Sequence, residues 1–299
     1  SRIFTKRMMR NMSTTEADRI YRFIFEHAEV SGAEIHISNV LKGMTEFKKY
    51  PYAVARLLAE CTVAVALLAD YMKTKGSISL SIQSGTLIQQ LNVACRNSLE
   101  VKAVAVHSVT DNEPHASGEL IGKNAVMTIT AIPDEGDRYQ GTVPVVGNGI
   151  ADCMTEYFQQ SEQLAAKFMI FADPNAPEGP EAGGVMLRVM PSDNPAKRKE
   201  DFSGFCMLLD TLKPEEVYTL PGEKVITRLF GAEGVTVYKP HDIVFRCDCS
   251  RERCLGALKA LGRDDAEKVI AQNGGRVSVR CECCGRNYSF GADEIRALF

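Results

Sequence analysis

The chain has 299 residues, 45% of them hydrophobic and 24% charged, with a formal net charge of −3 at pH 7. Such a composition argues against a chain disordered throughout, and the near-neutral balance argues against a polyanion-binding surface spread over the whole molecule. The length suits a main domain with something smaller attached.

Arg2, Lys6, Arg7 and Arg10 precede the first acid, Glu16, with no apolar run behind them. Residues 1–18 therefore read as a flexible basic segment and not as a secretory signal. A cytoplasmic protein is expected, and a remnant of a mitochondrial or other organellar transit segment is the alternative. Residues 19–28 place Ile20, Phe23, Ile24 and Phe25 at spacings that suit either a short helix or a strand. Pro51 stands at a first helical position, and the Ala- and Leu-rich run to about residue 75 predicts a long buried helix ended by Gly76. Arg56, Glu60 and Asp70 interrupt that run, and their cost in a bilayer argues for a protein core and against a membrane.

Short β-branched runs at 78–82, 101–106 and 126–132 follow, separated by turn formers, and 139–146 adds another strand. A helix is predicted over 152–163. Strands at 168–172 and 185–190 flank a long Pro/Gly-rich loop, 173–184. The fold class is α+β, with a β-sheet domain carrying helices over 19–191. Turn formers and the charged run Lys197, Arg198, Lys199 and Glu200 then mark a solvated connector. Short helical patterns up to residue 230 are broken by Pro214, Pro221 and Gly222, too short to be stable alone. Residues 192–241 are thus a metastable helical linker, and 242–299 a small C-terminal module with four paired cysteines.

Of ten cysteines, Cys61, Cys95, Cys153 and Cys206 are scattered among apolar neighbours, as inert packing residues are. The other six lie between Cys247 and Cys284. Cys247-x-Cys249 and Cys281-x-x-Cys284 form two close pairs, each able to clasp a metal from one turn, and together they complete the four-sulfur shell that Zn²⁺ takes in structural sites. With no open position such an ion would organise structure and not activate water. Cys283 leaves a second assignment open, since Cys281-x-Cys283 is also a pair; we favour Cys284. Cys254 reads as a free thiol, packed or exposed, able to join disulfide exchange. The last ~55 residues are too few for a strong core, so the metal supplies folding free energy on the order of 10–16 kcal/mol. Spacing alone fits a permanent zinc site as well as a redox switch.

Other chemistries fit less well. Six arginines in the module could contact phosphates, but residues 246–299 hold ten basic and eight acidic side chains and few aromatics, so no nucleic-acid partner is expected. A thiol-disulfide oxidoreductase built on Cys281 and Cys284 would leave Cys247 and Cys249 unexplained. The run 118–124 lacks the spacing and Ser or Thr of a P-loop, 147–149 lacks a dinucleotide fingerprint's third glycine, and the five histidines have no ligand spacing. No catalytic residue is assigned.

The run Phe245-Arg246-Cys247-Asp248-Cys249-Ser250-Arg251-Glu252-Arg253, with Cys281 to Gly285, closely resembles the zinc module of the heat-shock protein 33 family, redox-regulated holdase chaperones. Thr227-Arg228-Leu229-Phe230, Glu233 to Val237, Glu156-Tyr157-Phe158, Ser161-Glu162-Gln163, Tyr139-Gln140-Gly141 and Ala182-Gly183-Gly184 extend the likeness over most of the chain. The resemblance implies that Cys247, Cys249, Cys281 and Cys284 bind one Zn²⁺ when reduced, and that Cys247 pairs with Cys249 and Cys281 with Cys284 when oxidised. It further implies that the linker then unfolds and exposes apolar surface for unfolded client proteins, and that a homodimer completes activation. The added Cys283, the extended basic start and the long 173–184 loop depart from the family's pattern.

Overall fold

The computed structural model describes residues 17–299 apart from 73–74, 97–98, 111–112, 114 and 123; the basic segment expected at the start lies outside the described residues except for its last two. Arg19–Phe25 is a strand, β1, because its side chains divide between two apolar layers. Ile20 enters one core, while Tyr21, Phe23 and Phe25 enter another. Val30–Ile37 (β2) pairs antiparallel with it and is buried along its whole length. Its Ser31, Gly32 and Ala33 hide the strand pattern from a sequence reading. Asn39–Thr45 (α1) leads into the long helix Tyr52–Met72 (α2), as expected from the run after Pro51.

The next strands, β3 (Gly76–Gln83), β4 (Ile88–Arg96) and β5 (Glu100–His107), form a meander. After the short helix α3 (Ser117–Ile121), β6 (Val126–Pro133) returns to pair with β3, and β7 (Tyr139–Val143) adds to β6. The helix expected over 152–163 is α4 (Ile150–Tyr157) followed by a single π turn, Phe158–Glu162, which stops at Gln163 with φ 54°. β8 (Ala166–Asp173) and β9 (Glu181–Val189) are longer than predicted, so the connecting loop shrinks to 174–180.

The linker span holds α5 (Pro195–Leu209), α6 (Pro214–Thr219), α7 (Gly222–Phe230) and β10 (Val235–Val237). β11 (His241–Asp242) and β12 (Val244–Phe245) follow, two residues each. The C-terminal module contains α8 (Arg251–Ala260), α9 (Arg263–Gln272), the hairpin β13 (Arg276–Arg280) and β14 (Asn287–Gly291), and α10 (Ala292–Arg296).

Two six-stranded sheets result. The first runs β10-β1-β2-β9-β8, with β11 also paired to β1, and the second runs β12-β5-β4-β3-β6-β7. α2 lies between them and packs on strands of both, so most of its surface is buried, as its largely apolar sequence requires. By length and composition α2 could cross a membrane, but most of that stretch is buried inside the protein. The outer face of the first sheet is covered by α5, α6 and α7, which form a second core with Tyr21, Phe23 and Phe25. A third, small core lies within the C-terminal module.

Candidate metal centre

Cys247 and Cys249 leave the second sheet directly. β12 pairs in parallel with β5, and the Arg246 amide donates to the Val101 carbonyl at 3.0 Å, so the first cysteine pair hangs from the edge of the main domain. Ser250 then caps α8, accepting from the Arg253 amide at 3.2 Å. The second pair sits in the turn of the β13–β14 hairpin, which the Cys281 and Arg286 backbones close at 2.9 Å. Gly285 completes that turn with φ 69°, and a side chain there would run into Phe47 at 2.6 Å.

The Sγ atoms of Cys247, Cys249, Cys281 and Cys284 all lie within 4.8 Å of one another. The shortest approaches cross between the pairs, 3.6 Å from Cys247 to Cys281 and 3.4 Å from Cys249 to Cys284. A tetrahedral zinc with Zn–S bonds of ~2.3 Å needs sulfurs about 3.8 Å apart, so the four fit that ion closely. Burial, with neighbouring sulfurs adding to it, holds the Cys247 thiol well above its ordinary range. At Cys249 burial acts upward too, but hydrogen bonds led by the Tyr288 hydroxyl outweigh it and bring that thiol to about 7. The Tyr288 Oη lies 3.2 Å from the Cys249 sulfur and donates to the Cys249 carbonyl at 3.0 Å. Four crowded thiols cannot all ionise without a cation among them, and a divalent metal would supply that charge.

Cys283 falls outside the converging set and is half-buried; burial raises its thiol, and hydrogen bonds with Cys247 and the Ala103 backbone offset this only in part. Cys254 is buried in the module's small core. Burial raises Cys61, lifts Cys95 to about 12 and Cys206 to about 11, which makes them poor nucleophiles.

Asp248, between the first two cysteines, was not singled out by sequence. Its carboxylate pairs with Lys102 of β5, with Arg96 of β4 at 3.0 Å and with Arg253 of α8 at 2.5 Å. Burial opposes its ionisation, but Lys102 and Arg253 outweigh this and hold it at about 2. The side chain thereby clamps the Cys-x-Cys turn to the second sheet. Lys48 adds a further tie, donating to Glu282 at 2.9 Å and to the Ala105 carbonyl at 3.1 Å. A local signal existed in the acid flanked by two cysteines, but its partners are far away in the chain.

The profile of the Hsp33 protein family matches residues 18–291. The chain is 36% identical over 281 residues to proteins named 33 kDa chaperonin from Salmonella paratyphi A and from Escherichia coli strain SMS-3-5, covering 94% of this chain and 94% of each relative. The same-named protein of Shigella flexneri is also 36% identical, with 96% of its length covered. A crystal structure of the 33 kDa chaperonin (heat shock protein 33 homolog) of Thermotoga maritima superposes with a TM-score of 0.80 at 20% identity, over 94% of this chain and 97% of that one, and so shares the fold. With nearly its whole length matched, the chain belongs to the Hsp33 family.

Proposed function

We propose that this chain is a redox-regulated, ATP-independent holdase that binds unfolding proteins stoichiometrically, without catalytic turnover. The convergence of four sulfurs, the first pair of which follows directly on β12 after the linker span, carries the reading. Cys247, Cys249, Cys281 and Cys284 hold one Zn²⁺ in the reduced state; the ion ties α8 to the β13–β14 hairpin and neutralises their charge. Peroxide converts the pairs Cys247–Cys249 and Cys281–Cys284 to disulfides. Four thiolates lose four electrons, two peroxide molecules accept them, and with four protons they leave as four waters. Disulfide sulfurs are poor ligands, so metal and fold are lost together.

The consequence reaches the linker through β12, β11 and β10, short strands that connect the metal module to the edge of the first sheet. Once they loosen, α5 to α7 lose their anchorage and the aromatic face of Tyr21, Phe23 and Phe25 is uncovered. That face and the apolar sides of the linker helices form the client surface, and two activated chains associate through the same exposed area. A cytoplasmic location agrees with the bacterial relatives.

Purified reduced protein is expected to contain one zinc per chain and to suppress aggregation of a thermally unfolding client poorly. Peroxide with mild heat should release the zinc and raise suppression. Equal suppression by both forms would refute the redox switch, and reduced protein that is metal-free yet folded at its C-terminal end would refute the zinc site.

A further inference from the structure

Between the inner face of the first sheet, the end of α2 and the chain that follows β10 lies a cavity of about 480 Å³, lined by no residue of the four-cysteine module. Strand register builds its walls. Arg22 stands opposite Ala33 and Ala33 opposite Met186; Ile24 stands opposite Ser31 and Ser31 opposite Arg188. These six side chains form two adjacent cross-strand rows on one face. Tyr238, Lys239 and His241 complete the mouth, held there by the Tyr238 amide, which donates to the Arg22 carbonyl at 2.8 Å.

The charges in this cavity do not cancel. Asp70 is committed to Arg22, whose Nε and Nη2 reach its carboxylate at 2.7 and 2.6 Å, and His241 Nδ1 approaches the same group at 3.4 Å. Arg188 has only the Tyr71 ring, 4.6 Å from its guanidinium, and no carboxylate pairs with it among the described residues. Burial works against its charge, yet a guanidinium does not give up its proton, so it stays cationic and under-solvated. Lys239, exposed at the mouth, also lacks an ion pair among the described residues. Ser31, 7% exposed in the cavity wall, has a hydroxyl with no hydrogen-bond partner among the described residues. An unpaired arginine, an unsatisfied hydroxyl and apolar walls in a cavity of this size describe a binding site for a small molecule.

We propose that this cavity binds a small organic anion, a carboxylate or phosphate monoester carried on an apolar or aromatic body. Arg188 and Ser31 hold the anionic end, Lys239 adds charge at the entrance, and Ile24, Met186 and Tyr238 pack on the body. Because Tyr238 and Lys239 belong to the stretch between β10 and β11, an occupied cavity fastens that stretch to β1.

The test is calorimetric titration of the reduced, zinc-loaded full chain with phenyl phosphate and, separately, benzoate. Inorganic phosphate and phenol serve as the isolated halves. One of the two probes should bind saturably at one site per chain, each half more weakly, and hydrogen exchange at 235–241 should slow when the site is filled. Arg188→Gln should weaken that probe roughly tenfold or more, and Lys239→Ala several-fold, in line with the loss of charge-assisted contacts. Absence of saturation by both probes at about 10 mM, a very weak affinity, would overturn the site. So would unchanged affinity in the variants. If circular dichroism shows Arg188→Gln unfolded, the exposed Lys239→Ala decides alone. Neither client nor oxidant enters this experiment, so its outcome is independent of the chaperone reading.

Discussion

Three cations converge on Asp248, a carboxylate held between two of the four sulfurs. Replacing it by alanine leaves every sulfur in place and removes the clamp on their turn. Asp248→Ala should therefore keep one zinc per chain but surrender it to a chromogenic chelator at concentrations about tenfold lower or more, the usual cost of losing a group that orients a ligand. An unchanged chelator midpoint would show that the clamp does nothing for the metal. The adjacent thiols Cys283 and Cys284 separate in the same way. Sequence spacing leaves two pairings for Cys281, and the geometry brings only Cys284 into the converging set. Metal analysis should find one zinc in Cys283→Ser and less than one in Cys284→Ser; the reverse would exchange their roles.

Among the elements, two of the helices in the linker span are short. α6 has six residues and α7 nine, lengths at which a helix in water is not stable by itself. Their order comes from packing, for which the stack of Phe205 on Phe25, with centroids 3.7 Å apart, is one contact. Beneath α7 that packing carries a defect. Glu34 of β2 is fully buried, neither carboxyl oxygen has a hydrogen-bond partner among the described residues, and a side chain at Gly222 would meet its Oε2 at 2.1 Å. Burial alone lifts the Glu34 carboxyl from 4.5 to about 8. Between those values the folded chain keeps a proton that the unfolded chain has released. The contribution of Glu34 to stability is thus full below pH 4.5, declines as pH rises, and has gone once pH passes about 8. The span corresponds to a few kcal/mol. Thermal melts of the reduced, zinc-loaded protein from pH 6 to 9 should show this decline, and Glu34→Leu should flatten it and raise the midpoint at the alkaline end. An identical profile in the variant would remove Glu34 from the account.

At the scale of the whole molecule, the metal module is a small body joined to a large one. Its own core has only seven buried residues, including Leu258, Ile270 and Phe290. Chelating the zinc from reduced protein should abolish hydrogen-exchange protection at 247–299 and reduce it over 195–245, while α2 and the second sheet stay protected. Protection that survives over 247–299 would mean that the small core suffices without metal. Coupling to the linker is expected because the intervening strands are so short: β11 and β12 are two residues each, and neither can hold its place once its neighbour moves.

Much of this was legible in the residues. Paired cysteines reveal themselves by spacing, since two thiols on one turn are neighbours whatever the rest of the chain does. The run that became α2 and the β-branched runs of β3, β5 and β6 likewise carry their periods locally. β1 stayed ambiguous because both its faces are buried, so its apolar residues do not alternate cleanly with polar ones. β2 was hidden by small residues that are buried only because a sheet closes over them. The clamp on Asp248 joins residues 146 positions apart, and the Lys48–Glu282 tie spans 234. Spacing rules end within a few turns of chain. Which carboxylate finds three cations, which half-buried arginine finds no carboxylate and which buried glutamate finds no hydrogen-bond partner among the described residues, is decided only when distant segments pack.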